Sequence, residues 1–340
     1  MGIVAAVLIL LFCIRVLVHS RSISATYDEP HHLAAGYSYL RWQDYRLNPE
    51  HPPLTKKLAA LPLLAVDPLP SDFDPSEPGI HPGRGSRSWQ RIKDLWRGSV
   101  QDYRKEWYLG HELVFGVEDA TLERLGVEAT VEIDPVERVE RREFLNDAEQ
   151  LIRRGRLSTM IFGVLVGLLT FLWARELWGV AAGLFALALC TFDPNILAHS
   201  SLITSDVAAA ALILGTVYGL WRFRRYGGWG NAVLMFACFT LALTAKFSAL
   251  LLIPLCVVLA AVSGLHLWRR GSRQRAWQLV LLLVVCGLGS VVVLWGAYGV
   301  RCTAGADGSG EAMPIELVLH QVGYQEAKFR PEVEGRRLLG

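Results

Sequence analysis

Apolar residues fall in long blocks along the chain, and polar stretches separate the blocks. The first block covers residues 3–18, and a polar stretch from about residue 21 to residue 156 follows it. Each block is long enough, or nearly so, to cross about 30 Å of hydrocarbon as a helix that rises about 1.5 Å per residue. The pattern predicts an all-α polytopic membrane protein with seven spans. The first lies within residues 1–20, and the six others, within residues 157–298, are 157–173, 179–197, 207–221, 229–245, 247–268 and 276–298.

The first block, apolar except for Arg15, has a second interpretation as the core of a signal peptide. No Lys or Arg precedes the block, and no clear small-x-small cleavage site follows it. We therefore favour a retained helix.

The two blocks on either side of Lys246 predict a tight hairpin. Together they contain about forty nearly uncharged residues, or roughly 60 Å as one helix, which is twice the membrane thickness. Arginine clusters flank the pair, and short basic loops stay cytoplasmic. Lys246 is therefore predicted on the external face of the cell (inner or plasma) membrane, together with the loop 21–156, the connection 194–206 and the segment 299–340. The flanking arginines are Arg222, Arg224, Arg225, Arg269, Arg270, Arg273 and Arg275.

The long external loop contains several predicted amphipathic surface helices. Asp28 as N-cap, followed by Pro30, predicts the start of one, and Pro52 and Pro53 predict the start of a second. Between Trp89 and Trp107, aromatic residues recur every three or four positions among Arg and Lys. A helix in the lipid interface explains this pattern better than a nucleic-acid surface does.

Composition agrees with this class of protein. With 52% hydrophobic residues and 11 Trp among 340 residues, the chain is too apolar for one soluble domain. The formal net charge of +2 conceals strong segregation of charge between loops and blocks, so it does not indicate a nucleic-acid partner. We therefore expect the apolar blocks to be surrounded by the lipid bilayer.

Ionisable residues that could carry chemistry collect at the predicted external face. Carboxylates, imidazoles and amines beside lipid suit a reaction on a lipid-linked anionic substrate. A divalent cation is not indicated, because the histidines of the chain lack a recognisable metal-binding spacing such as HExxH. The candidates are Asp28, Glu29, Glu50, His51, Lys56, His199, Asp206 and Lys246.

Five of these candidates also have a purely structural interpretation. Asp28 and Glu29 are adjacent and point in different directions, so one can be a base, or either can be a helix-start acid. A lysine at the mouth of a membrane helix, such as Lys56 or Lys246, usually extends its amine to water. Asp206 begins an apolar helix, where an ionisable group is costly unless it has a partner, a function or a capping role.

The acidic pair Asp28-Glu29 and the run 51–56 (HPPLTK) together resemble the first external loop of the protein O-mannosyltransferases. The acidic pair Asp28-Glu29 follows the first span, and the run 51–56 is similar to the His-Pro-Pro-Leu-Gly-Lys of that family, with Thr55 in place of glycine. The run 50–53 is similar to the Glu-Lys-Pro-Pro of the aminoarabinose transferases, with His in place of Lys. Further similar segments are 174–179 (ARELWG) and 243–247 (LTAKF).

The resemblance implies a membrane glycosyltransferase of the GT-C fold that uses a polyprenyl-phosphate sugar, without a cofactor, and inverts the anomeric carbon. It implies that Asp28 acts as the general base. His51, Lys56 and Lys246 are then candidates for the donor phosphate. The family has more spans than this chain, so we expect the chain to be a C-terminally truncated fragment.

Two functions remain open from the sequence. The first is transfer of a hexose, mannose-like by resemblance, from the lipid carrier to a protein, lipid or glycan acceptor. The second is a non-catalytic transporter or assembly subunit for lipid-linked sugars. Transporters carry ionisable residues near the bilayer midplane in repeated halves. Here the ionisable residues collect at one face without a repeat, which favours the enzyme.

Overall fold

The computed structural model describes residues 2–48, 51–66, 110, 114 and 148–301. Within these ranges the chain forms helices and no strands. Glu50, the predicted interfacial helix between Trp89 and Trp107, and the segment after residue 301 lie outside the described residues. The α-helices are α1 (Gly2–Ser22), α2 (Glu29–Arg41), α3 (Leu54–Ala60), α4 (Ala148–Trp178), α5 (Val180–Phe192), α6 (Pro194–Ser200), α7 (Asp206–Tyr226), α8 (Trp229–Ala245), α9 (Leu252–Arg269) and α10 (Arg273–Ala297). Short 3₁₀ helices, Leu61–Ala65 and Phe247–Leu251, follow α3 and precede α9.

The apolar blocks predicted from the sequence are helical. In the described residues five helices are long and apolar enough to cross a membrane, or six if the bent pair α5 and α6 counts as one span. Helix α8 is apolar but has 17 residues, fewer than the five long helices. The predicted all-α membrane fold is confirmed.

The predicted span 179–197 is broken rather than continuous. Helices α5 and α6 meet at an angle of 62°. Pro194 cannot donate a backbone hydrogen bond to α5, and the Asp193 side chain instead accepts one from the Ile196 amide at 2.8 Å, which starts a new helix. Asp193 and Pro194 therefore end one helix and begin the next.

Arg15, the charged residue of the first block, lies beside this break. Its Nη1 atom donates to the Thr191 carbonyl at 2.6 Å, and its guanidinium lies 5.0 Å from the centre of the Phe192 ring. An ionisable group in an apolar helix needs such partners. The contact joins α1 to the end of α5.

The turn at Lys246 and the turns that contain most of the arginines lie at opposite ends of the helix bundle. The chain folds back at Lys246, which is extended with φ −153° and ψ 139° between α8 and the next 3₁₀ helix. This turn lies at the same end as the start of α7, because Lys246 contacts Asp206. The turns from α4 to α5, from α7 to α8 and from α9 to α10 lie at the other end, as the helix order requires.

Helices α2 and α3 form a layer over the end of the bundle that contains Lys246 and the start of α7. Helix α2 begins after Asp28, as predicted, but it is not the predicted amphipathic surface helix, because every residue from Glu29 to Tyr39 is buried. Gly36 lies against α3, where an added Cβ atom would come within 2.9 Å of the Ala60 Cβ atom. Polar residues on α2 are therefore enclosed, and for Glu29 an ion pair with Arg156 offsets the cost of burying its charge.

Candidate active site

Glu29 is the most thoroughly bound carboxylate of the site. Its side chain is fully buried and forms a two-point ion pair with Arg156, with Nε to Oε1 at 2.8 Å and Nη2 to Oε2 at 2.7 Å. Backbone amides complete the arrangement: Thr26 N donates at 2.8 Å and Ile203 N donates at 3.0 Å. Because both oxygens are occupied, this geometry argues against Glu29 as the general base.

Arg156 extends the same network to the end of α1. Its Nη1 atom donates to the Ser20 carbonyl at 2.6 Å, and its Nη2 atom donates to the Ser24 carbonyl at 2.9 Å. The pattern from residue 136 to Arg156 predicts a charged, solvated helix, but this arginine is buried. The sequence signal that could have identified it is its position as the last charge before an apolar block.

Asp28 is exposed, in contrast to its neighbour Glu29. It occupies the N-cap position of α2, yet its side chain makes no capping hydrogen bond. Partial desolvation, and then the negative charges of Asp206 and Glu29, raise the pKa of the Asp28 carboxyl above its usual value. A raised pKa makes a carboxylate a stronger base. Asp28 is therefore the candidate base that the geometry supports.

Lys246 and Asp206 form an ion pair at the same end of the bundle. The Nζ atom of Lys246 donates to the Asp206 carboxylate, and both side chains are open to solvent, 29% and 48% exposed respectively. Ser205, rather than Asp206, occupies the N-cap position of α7. The pair therefore joins the start of α7 to the end of α8 while remaining accessible to a ligand.

Lys56 faces the interior rather than water. It is 1% exposed, and its Nζ atom donates to the Asn48 carbonyl and, at 3.1 Å, to the Tyr39 hydroxyl. The ammonium also lies 5.3 Å from the centre of the Tyr39 ring. The amine therefore does not extend to water, and its contact with a donor phosphate stays a prediction. Lys56 instead supports the segment that leads to His51.

Three histidines lie beside Lys56. Ring centres are 4.8 Å apart for His31 and His32, and 5.6 Å apart for His32 and His51. Burial and then the positive charge of Lys56 lower the pKa of His31 to about 3 and that of His51 to about 4. Burial also holds the pKa of His32 well below its usual value. The cluster is therefore neutral at physiological pH.

The two remaining candidates from the sequence are His199 and Glu50. His199 is exposed on α6. Glu50 lies outside the described residues. Among the residues that the structure describes, no group of three or more His, Cys, Asp or Glu has an arrangement that could hold a metal ion.

Four of the predicted residues thus share one electrostatic environment. Asp206 raises the pKa of both Asp28 and His51, and Lys246 lowers that of His51. The site offers an accessible carboxylate, an accessible ammonium and a neutral imidazole on a buried, hydrogen-bonded support. Such a set can remove a proton from one group and stabilise negative charge on another.

Comparison with known proteins agrees with the resemblance predicted from the sequence. Residues 148–295 match the family model described as dolichyl-phosphate-mannose-protein mannosyltransferase, a family with the GT-C membrane fold. The match confirms the resemblance. It includes Asp206 and Lys246 and begins after Asp28. No curated protein and no solved structure matches the chain.

Replacing Glu29 by Gln should destabilise the protein because the buried Arg156 charge would lose its partner. Breaking a buried pair typically costs about 3–5 kcal/mol. We expect a large drop in the unfolding midpoint in detergent. The control is Glu149→Gln, which removes the exposed pair with Arg153 and should change stability by about 0–1 kcal/mol. Equal midpoints for the two variants would contradict the role given to Glu29.

Acidification should destabilise the protein through the histidine cluster. An unfolded histidine titrates near pH 6.5, whereas the folded values are lower. The unfolded chain therefore binds protons first, so the histidine contribution to stability is full above about pH 6.5 and decreases as pH falls towards about 4. His32→Gln should weaken this pH dependence of the unfolding midpoint, and the exposed-residue control His266→Gln should not. An unchanged pH dependence in His32→Gln would contradict the interpretation.

Proposed function

We propose, from the match to the dolichyl-phosphate-mannose-protein mannosyltransferase family, that this chain transfers a hexose from a polyprenyl-phosphate carrier to an acceptor hydroxyl or phosphate. The family match indicates a membrane glycosyltransferase. The donor, a mannose-like sugar on a lipid phosphate, and the acceptor, on a protein, lipid or glycan, are part of the proposal. So are the external side of the site and its location in the cell membrane.

One observation supports the catalytic assignment most strongly. Asp28 has an accessible carboxylate with a raised pKa, next to a residue whose carboxylate is fully occupied. A base must reach the acceptor and be able to take its proton. In the adjacent acidic pair, Asp28 meets both requirements, whereas Glu29 is buried and cannot reach the acceptor.

The proposed reaction is a single displacement. The acceptor oxygen attacks the anomeric carbon and passes its proton to the Asp28 carboxylate, while the bond from the anomeric carbon to the phosphate oxygen breaks. The electron pair of that bond leaves with the polyprenyl phosphate. Because one carboxylate acts without forming a covalent intermediate, the configuration of the anomeric carbon inverts.

Lys246 is the cation that we assign to the leaving phosphate. A phosphodiester-type leaving group needs positive charge more than a proton, and an accessible ammonium supplies that charge. The solvent-open pair with Asp206 allows Lys246 to exchange one anionic partner for another. His51, neutral at physiological pH, can donate or accept a hydrogen bond at the same phosphate.

Cytoplasmic placement of the arginine-rich turns would put α2 and α3 outside the cell. The turns from α7 to α8 and from α9 to α10 are short and basic, and such loops remain in the cytoplasm. The accessible carboxylate would then meet acceptors on the external side. Lipid-linked donors would reach the site from the surrounding bilayer.

The direct test is release of polyprenyl phosphate from polyprenyl-phosphate mannose by membranes that contain the protein. Asp28→Asn should lower the rate by about 10²–10⁴-fold, the usual contribution of a general base, with an unchanged unfolding midpoint. Glu149→Gln, an equal change of charge on an exposed residue, should keep full activity. No release from several donor sugars would reject the transferase, and an unimpaired Asp28→Asn would reject the base.

Lysine variants should separate phosphate binding from structural support. Lys246→Gln should lower the transfer rate by about 10²-fold through loss of charge at the leaving group, and Lys246→Arg should restore part of it. Lys56→Met should instead lower the unfolding midpoint, since its amine donates to buried oxygens. Full activity in Lys246→Gln would remove this residue from the phosphate site.

A further inference from the structure

The end of the bundle opposite the candidate active site is strongly basic. Two short turns, 222–228 and 269–275, both lie at this end, as the order of the helices requires, and each is rich in arginine. The arginines are Arg222, Arg224, Arg225, Arg269, Arg270, Arg273 and Arg275.

Little of this positive charge is balanced inside the protein. In residues 148–301 the acid at this end is Glu176, whose carboxylate accepts hydrogen bonds from Arg222 and, at 2.8 Å, from the Tyr218 hydroxyl. Arg222 also donates to the Asn231 side chain at 2.8 Å. Glu176 is therefore committed to Arg222, and the other arginines keep an uncompensated charge within the described part of the chain.

Two of these arginines are held against indole rings. The guanidinium of Arg225 lies 5.5 Å from the centre of the Trp221 ring, and that of Arg273 lies 5.1 Å from the centre of the Trp268 ring. Both arginine side chains are exposed. A cation–π contact restricts the position of a guanidinium, and its exposed N–H groups remain free to donate to phosphate oxygens.

Exposed tryptophans place this end at the depth of lipid headgroups. Trp229, the first residue of α8, is 89% exposed, and Trp277, the fifth residue of α10, is 63% exposed. Tryptophan at the ends of spanning helices locates in the interface between headgroups and acyl chains. The phosphate nearest to the arginines is therefore that of a phospholipid in the adjacent leaflet.

We propose that this end of the bundle is a binding surface for anionic phospholipid headgroups, with Arg225 and Arg273 as the main phosphate contacts. The surface is separate from the sugar-transfer site, and its charge and aromatic residues do not depend on that function. It would fix the depth of the bundle in a leaflet rich in anionic lipid.

The test uses the full chain in nanodiscs of phosphatidylcholine with increasing phosphatidylglycerol. We expect phosphatidylglycerol to raise the unfolding midpoint in a saturable manner. In Arg225→Gln/Arg273→Gln, the phosphatidylglycerol concentration at half effect should increase roughly fivefold for each arginine removed. Arg21→Gln/Arg41→Gln, an equal change of charge on exposed residues at the other end, should behave like wild type.

Three results would overturn the proposal. The first is an equal effect of phosphatidylcholine and phosphatidylglycerol. The second is an unchanged response in the Arg225/Arg273 variant, whose midpoint in pure phosphatidylcholine should equal that of wild type. The third is a shift produced by inorganic phosphate alone that equals the shift with phosphatidylglycerol, since it would assign the surface to a free anion.

Discussion

The buried ion pair between Glu29 and Arg156 is the interaction on which the candidate site depends. Transferring two charges from water to the protein interior costs several kcal/mol per ion, and close hydrogen bonds must offset that cost. Here each group is bound on several sides, because Thr26 and Ile203 donate to the carboxylate and the end of α1 accepts from the guanidinium. One pair therefore holds α1, the start of α2, α4 and the connection before α7 in fixed positions.

This constraint determines what the adjacent Asp28 can do. Since Glu29 is fixed, the start of α2 is fixed as well, and the Asp28 side chain is left exposed near the ion pair of Asp206 and Lys246. The same division applies to the lysines, because Lys56 is enclosed and Lys246 is accessible. Buried charges support the layer of α2 and α3, and accessible charges are available for chemistry.

The apolar blocks were sufficient to predict the helices and the turn at Lys246, because a span must satisfy its own backbone and its length is set by the bilayer. The sequence contains the residues that cause the break, Asp193 and Pro194. The break was nevertheless not predicted, because the residues around this pair are almost continuously apolar. The buried ion pair was not predicted because its two residues are far apart in the sequence. Arg156 and Glu29 are 127 residues apart, and no local pattern connects them.

The candidate site was predicted in part. Asp28, His51, Asp206 and Lys246 were selected from the sequence, and the structure brings them into one electrostatic environment. Whether an amine such as that of Lys56 faces water or the interior depends on Tyr39 and Asn48, whose positions follow from the packing of α2 on α3. Burial of this kind is a property of the assembled layer, so a single motif does not reveal it.

The pH dependence of kcat/KM for sugar transfer tests the central claim, that Asp28 is a base whose pKa its acidic neighbours raise. We expect the rate to fall on acidification with a pKa above that of an ordinary aspartate, and we expect Asp206→Asn to lower this pKa. The residual activity of Asp28→Asn should lack the transition. The same transition in wild type and Asp28→Asn, or an upward shift in Asp206→Asn, would contradict it.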